Sequence, residues 1–180
     1  METKSEIRKR MRSAVPSGDS AAIWRKIEAL PAFLEASSVL LFWSIEGEPD
    51  THAFISRACR EKRVLLPRVT DGALEIVEYS PDRMVPGYRG IMEPDASSVC
   101  ANPDEVDFAV IPGMAFDPSG SRLGRGKGCY DRLLPLLHCL KAGVCDDSHI
   151  VDEVPVEDHD IPVDLVITPN NLYICNRKLF

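Results

Sequence analysis

The residues best suited to chemistry lie between positions 111 and 134, in the segment IPGMAFDPSGSRLGRGKGCYDRLL. Five of the chain's eleven glycines fall between Gly113 and Gly128, and Gly124, Gly126 and Gly128 alternate with Arg125 and Lys127. Glycine lets a backbone approach a ligand closely and take conformations that other residues resist. Basic side chains between such glycines can then turn toward an anion. The segment leaves an apolar run and enters a helix-like one, whose N-terminus adds free N–H groups and partial positive charge. The chemistry this predicts is phosphate binding. The spacing is not GxxxxGK[ST], since Gly128 and Cys129 follow Lys127, and it is not the dinucleotide GxGxxG. That leaves a less common ATP or phosphosugar binder. Asp131 follows directly. A carboxylate beside a phosphate cradle repels the ligand unless a Mg2+ lies between, because Mg2+ takes one or two carboxylates together with phosphate oxygens. Asp158 and Asp160, in the acidic run PVEDHDIP, are candidates for a second carboxylate. The competing reading of Asp131 is a first-turn carboxylate favoured by the helix dipole.

These residues need a scaffold. Residues 3–13 read as a short basic helix, with Lys4 and Arg8 sharing one face and Ile7 and Met11 the apolar face beside it. Residues 20–30 repeat apolar side chains at helical spacing (Ile23, Ile27, Leu30), and a second short helix starts at Pro31. The run 39–43 is apolar throughout, as a buried parallel strand requires. Its C-terminal loop, SIEGEPD, occupies the edge where open α/β sheets bind ligands, so Glu46, Glu48 and Asp50 are near any substrate. Asp50 or Thr51 can cap the helix that follows over 52–61. Strands at 63–69 and 74–79 flank Asp71-Gly72, a tight-turn pair, and so form an inserted β-hairpin. Residues 88–94 read as an ordered loop of the kind that carries function. A strand over 106–112 delivers the chain to the glycine loop. The helix after that loop carries Leu133, Leu134, Leu136, Leu137 and Leu140, with Pro135 weakening it or marking a boundary. Short strands follow at 143–145, 163–168 and, at the sheet edge, 172–175. The expected architecture is an α/β three-layer sandwich, Rossmann-like, with a mostly parallel central sheet and an inserted β-hairpin, forming one domain over 1–180.

Composition narrows the partners. At 180 residues, 44% hydrophobic and 27% charged, the chain has a soluble globular balance. A net charge of −7 argues against nucleic-acid or anionic-membrane surfaces, which draw affinity from excess Lys and Arg. No apolar run reaches the roughly 18 residues a membrane span needs. The N-terminus has basic residues without an apolar stretch after them, unlike a secretory signal. A cytoplasmic monomer acting on a small molecule is the expectation, with no nucleic-acid or membrane partner. The six cysteines form no CxxC pair and the histidines show no metal-ligand spacing beside them, so free, buried thiols are expected.

PGMAFDPSGSRLGRGKGCYDRLL resembles the signature of the 5-formyltetrahydrofolate cyclo-ligase family, also called 5,10-methenyltetrahydrofolate synthetase. Lys4 with Arg8, VLLFWSIEGEPDT, VLLPR, GIMEP and VPVEDHDIPVDLVIT follow in the family's order, so the resemblance covers nearly the whole chain. Cys129 departs from it, standing where the family commonly has the first of two tyrosines, and Pro49 and Asp50 are a milder departure. The resemblance implies an ATP- and Mg2+-dependent ligase of one-carbon metabolism that converts 5-formyltetrahydrofolate to 5,10-methenyltetrahydrofolate, ADP and phosphate. It implies ATP binding by Lys4, Arg8, Arg122, Leu123, Gly124, Arg125, Gly126, Lys127, Gly128, Cys129 and Tyr130, with Arg125 and Lys127 the charged, catalytic members. It implies folate contacts from Trp43, Glu48, Arg125, Gly126, Lys127, Gly128 and Cys129, and Mg2+ ligation by Asp131 and Asp160. The competing functions are a phosphosugar or acyl-transfer enzyme on a related sheet, which leaves Lys4, Arg8 and Asp131 idle, and a non-catalytic folate- or nucleotide-binding regulator.

Overall fold

Strands with apolar residues at every position bury both faces, because successive side chains point to opposite sides of a sheet. In the computed structural model, which describes residues 2–176, that rule sets the layers. Helices α1 (Lys4–Met11), α2 (Ser20–Glu28) and α3 (Pro31–Glu35) precede β1 (Ser38–Leu40), and α4 (His52–Ala58) leads to β2 (Arg63–Thr70) and β3 (Ala73–Glu78). A small hairpin, β4 (Met84–Pro86) and β5 (Met92–Pro94), is followed by β6 (Cys100–Ala101) and β7 (Phe108–Pro112). A two-stranded ribbon, β8 (Ala115–Phe116) and β9 (Arg122–Leu123), then leads into α5 (Cys129–Leu133), β10 (Leu140–Val144), β11 (Leu165–Ile167) and β12 (Leu172–Ile174). The main sheet runs β12-β11-β10-β7-β1-β2-β3-β6. Strands β11, β10, β7, β1 and β2 are mutually parallel, while β12, β3 and β6 pair antiparallel at the two ends.

Val39, Val64, Leu66, Phe108, Val110, Leu165 and Ile167 pack with Ile23, Ile27, Phe33 and Phe54 of α2, α3 and α4 on one face. Leu40, Leu65, Ala109, Ile111 and Val166 face the other side and meet Leu133, Leu134 and Leu137. The expected three-layer sandwich is thus the observed one. The inserted hairpin is also present: Asp71 (φ 49°) and Gly72 (φ 78°) make a two-residue turn that matches strand twist. Helix α1 stands apart from both layers and docks Ile7 and Met11 onto Ala115 and Leu123 of the ribbon.

The structure corrects four expectations. The strand expected at 39–43 ends at Leu40, although Leu41 and Phe42 stay buried and Leu41 N–H still bonds Leu65 O at 2.9 Å. The leucine-rich helix does not reach Leu140. It stops at Leu133, continues as one 3-10 turn over Leu134–Leu136 around Pro135, and Leu140 opens β10. The glycine loop is not a simple strand-to-helix link, because the β8–β9 ribbon intervenes. The cysteines are free as expected, but only Cys145 is buried and Cys100 is exposed on the edge strand β6. Burial pushes the thiols of Cys139 and Cys175 up to about 11 and that of Cys145 up as well.

Candidate active site

The chain crosses the C-terminal ends of the parallel strands repeatedly, and two adjoining cavities open there. One, of about 460 Å³, is lined by Phe42, Trp43 and Glu48 after β1, by Tyr88, Arg89, Ile91 and Met92 before and within β5, and by Arg122 and residues 124–131. The other, of about 620 Å³, is lined by Met11 and Arg12 of the α1 end, residues 46–48, Met114, Arg125 and His149. Arg12, Glu48, Gly113, Met114 and Arg125 border both.

Trp43 stands between two rings, stacked on His52 with centroids 4.2 Å apart and tilted against Tyr79 at 6.5 Å. His52 is in turn tied to Ser44 O and Asp50. Asp50 accepts from His52 N–H at 2.9 Å, so of the two expected capping residues it is Asp50 that bonds the first turn of α4, while Thr51 Oγ1 donates to Phe42 O. Glu48 is nearly buried. Its Oε2 accepts from Ile45 N–H at 3.1 Å and its Oε1 pairs with Arg125 Nη2 at 3.0 Å. Glu48 and Arg125, each predicted singly from the sequence, therefore meet at the seam between the cavities.

In the glycine loop, Gly126 (φ 96°) and Gly128 (φ 65°) both take left-handed backbone, where a side chain is strained. The Gly124 carbonyl accepts from Arg8 Nε at 2.9 Å, so the loop is pinned to α1. Lys4, one turn earlier, donates to Asp160 Oδ2 at 2.7 Å and Glu157 Oε1 at 2.9 Å. Burial opposes the Lys4 charge, but these two carboxylates outweigh it and raise its pKa. Burial likewise opposes the charge on Asp160, and Lys4 lowers its pKa overall. One face of α1 thus clamps the glycine loop through Arg8 and the acidic loop through Lys4.

Arg122 is a buried cation that borders the first cavity. Its Nη2 meets Asp131 Oδ1 at 2.6 Å, its Nη1 donates to Pro112 O, and its guanidinium lies 5.4 Å from the Tyr130 ring centroid. Among the described residues its buried Nε–H has no acceptor. Desolvation raises the pKa of the Tyr130 phenol, and the Glu48 charge adds to the effect. Leu123, expected at the nucleotide, turns its side chain into the core under α1, which leaves only its backbone to meet a ligand. Cys129 points its thiol at Gly72 O in the β2–β3 turn, 3.6 Å away. Lys127 is exposed, with Nζ 4.1 Å from the Tyr88 ring centroid.

For a metal, Asp131 borders the first cavity and spends one oxygen on Arg122, while Asp160 lies outside both cavity linings, held by Lys4. Among the described residues no group of three or more His, Cys, Asp or Glu side chains is arranged around a common point. Mg2+ needs only one or two protein carboxylates when phosphate and water fill the rest, so the donor chemistry fits. The helix N-terminus contributes little, since α5 has only five residues. Tyr88, Arg89 and Arg12 were not singled out as binding residues. Arg12 had a usable signal, because Lys4, Arg8 and Arg12 repeat at four-residue spacing along one helix face.

Comparison with known proteins gives the family. Residues 2–169 match the model of the 5-formyltetrahydrofolate cyclo-ligase family. The chain is 34% identical to a 5-formyltetrahydrofolate cyclo-ligase of Escherichia coli, over 93% of this chain and 98% of that one. It is 31% identical to that of Mycolicibacterium smegmatis, over 94% and 92%. The solution structure of 5,10-methenyltetrahydrofolate synthetase from Aquifex aeolicus superposes with a TM-score of 0.86 at 35% identity, covering 96% of this chain and 92% of that one. Among the described residues no helix is long and apolar enough to cross a membrane.

Proposed function

The chain belongs to the 5-formyltetrahydrofolate cyclo-ligase family, and from that footing we propose that it closes 5-formyltetrahydrofolate to 5,10-methenyltetrahydrofolate at the expense of ATP, as a cytoplasmic monomer of one domain. The observation that carries the reading is the meeting of Arg125, Lys127, Glu48 and Trp43 around one aromatic-walled cavity beside the glycine loop. An apolar, aromatic wall suits a pterin, and the glycine-loop cations suit phosphate.

The formyl oxygen on N5 attacks the γ-phosphorus of ATP, and the bond from that phosphorus to the bridging oxygen breaks to release ADP. The formyl carbon then carries a phosphate ester, a far better leaving group than an amide oxygen. N10 attacks this carbon and gives up its proton, the carbon–oxygen bond breaks, and phosphate leaves with the original formyl oxygen. Little covalent work falls to the protein, so catalysis is positioning and charge neutralisation. Arg125 and Lys127 neutralise the transferring phosphoryl group, with Lys4 and Arg8 holding further phosphates. Residues 122–130 frame the nucleotide, with their backbone bordering the folate. Trp43 and Glu48 hold the folate, and Glu48 alternates between Arg125 and a pterin N–H beside the formamide. Asp131 at the cavity would hold Mg2+, with Asp160 as a second carboxylate once released from Lys4, and the ion when bound would neutralise phosphate charge and orient the leaving group. The test is a spectrophotometric assay with Mg-ATP and 5-formyltetrahydrofolate. A new near-ultraviolet absorbance that requires ATP supports the reading, and its absence with active folate contradicts it.

A further inference from the structure

Among the described residues two cations, Lys127 and Arg89, border the first cavity alone and lack an acidic partner, and only Arg89 has no role above. Of the arginines and lysine that line it, Arg122 pairs with Asp131, Arg125 pairs with Glu48, Lys127 rests on Tyr88, and Arg12 also borders the second cavity. Arg89 lines only the first cavity, is exposed, and has no carboxylate partner among the described residues; its guanidinium packs 5.5 Å from the Tyr88 ring centroid. Its backbone is left-handed (φ 56°, ψ 25°), which is uncommon for a residue with a side chain and concentrates at binding sites. The turn that holds it is closed by Gly87 N–H to Ile91 O at 2.8 Å and Gly90 N–H to Gly87 O at 3.0 Å. Gly87 lies against the Glu93 side chain: an added Cβ would lie 2.0 Å from the Glu93 carboxyl carbon, so that side chain would have to move.

Resting on the proposed cyclo-ligase reading, we propose that Arg89 is the specificity residue for the glutamyl end of the folate, binding its carboxylate at the cavity mouth with Tyr88 holding the guanidinium in place. The reacting N5 and N10 must sit near Arg125 and Lys127, and the apolar wall of Trp43, Ile91 and Met92 takes the rings. The benzoyl-glutamate must then leave by the exposed rim, and on a chain of net charge −7 a dianionic tail needs a local cation there.

The test is calorimetric binding of 5-formyltetrahydrofolate and of 5-formyltetrahydropteroate, which lacks the glutamate, to the unmodified enzyme, Arg89→Gln and Arg89→Lys, with turnover measured on the same samples. Arg89→Gln is expected to weaken the glutamyl substrate at least tenfold, to leave the truncated one within twofold, and to spare the KM for ATP; Arg89→Lys recovers part of the loss. Equal weakening of both ligands, or of neither, overturns the proposal. If the unmodified enzyme binds both folates without turnover, the cyclo-ligase reading fails while the ligand difference still decides the role of Arg89. If it binds neither, both fail.

Discussion

Removal of the Lys127 ammonium separates a catalytic contribution from a structural one. In the free protein Lys127 has no carboxylate partner among the described residues, and its contact is the exposed Tyr88 ring at 4.1 Å. A cation over an exposed ring contributes roughly 0.5–1 kcal/mol, so Lys127→Ala costs at most about that much stability. A charge-assisted contact to a phosphoryl oxygen contributes more, roughly 1.5–3 kcal/mol. At about 1.4 kcal/mol per factor of ten, that is roughly a ten- to hundredfold loss in kcat/KM for ATP. Initial rates against ATP at saturating folate, alongside urea unfolding of the same preparation, read both quantities. Lys127→Arg keeps the charge and is expected to fall between. The reasoning is refuted if kcat/KM for ATP stays within twofold, or if the stability loss is as large as the kinetic one.

Three further outcomes follow from the geometry. Asp131→Asn leaves the buried Arg122 cation without its counter-charge; the cost reaches roughly 3–5 kcal/mol for a fully buried pair and is smaller here because Asp131 keeps 26% of its side-chain surface. It is also expected to raise the Mg2+ concentration for half-maximal rate, whereas an unchanged Mg2+ response reduces Asp131 to a partner of Arg122. Burial opposes the charge on Asp146, but hydrogen bonds from Ser17 and Ser148 outweigh it and hold its pKa at about 2. A depressed carboxylate stabilises above its unfolded value near 4 and loses that contribution as pH falls from about 4 to about 2, so Asp146→Asn is expected to cost roughly 2 kcal/mol at pH 7 and to converge with the parent at the acid end, as urea midpoints across pH will show. Gly143→Ala would push a methyl to 2.5 Å from the buried Phe116 ring, and overpacking of this kind costs about 1–3 kcal/mol in thermal unfolding, with activity per folded molecule retained.

Much of the fold was legible in the sequence because burial on both sheet faces leaves continuous apolar runs, and because Asp71-Gly72 has little alternative to a tight turn. Strand ends were less so. Leu41 and Phe42 stay buried beyond Leu40, the last residue of the strand, and composition does not separate those states. The length of α5 was misjudged because Leu136, Leu137 and Leu140 keep an apolar rhythm past Pro135, whose missing N–H decides the boundary. At the site, Glu48 and Arg125 were each found and the structure supplied their pairing. Leu123 was swept into the nucleotide segment by its neighbours, yet its apolar side chain belongs to the core beneath α1. Residues 88–94 read as a functional loop, but Arg89 itself did not stand out, because the role proposed for it depends on a left-handed turn and on having no acidic partner among the described residues, neither of which is written in residue type.

The most direct test of the account follows the formyl oxygen. With 5-formyltetrahydrofolate labelled with heavy oxygen at the formyl group, a single turnover with Mg-ATP is analysed by mass spectrometry of the released phosphate. Attack of the formyl oxygen on the γ-phosphorus predicts that the label appears in inorganic phosphate, one atom for each methenyl product formed. Label recovered in water instead, with unlabelled phosphate, contradicts the phosphorylated intermediate and the roles assigned to Arg125 and Lys127.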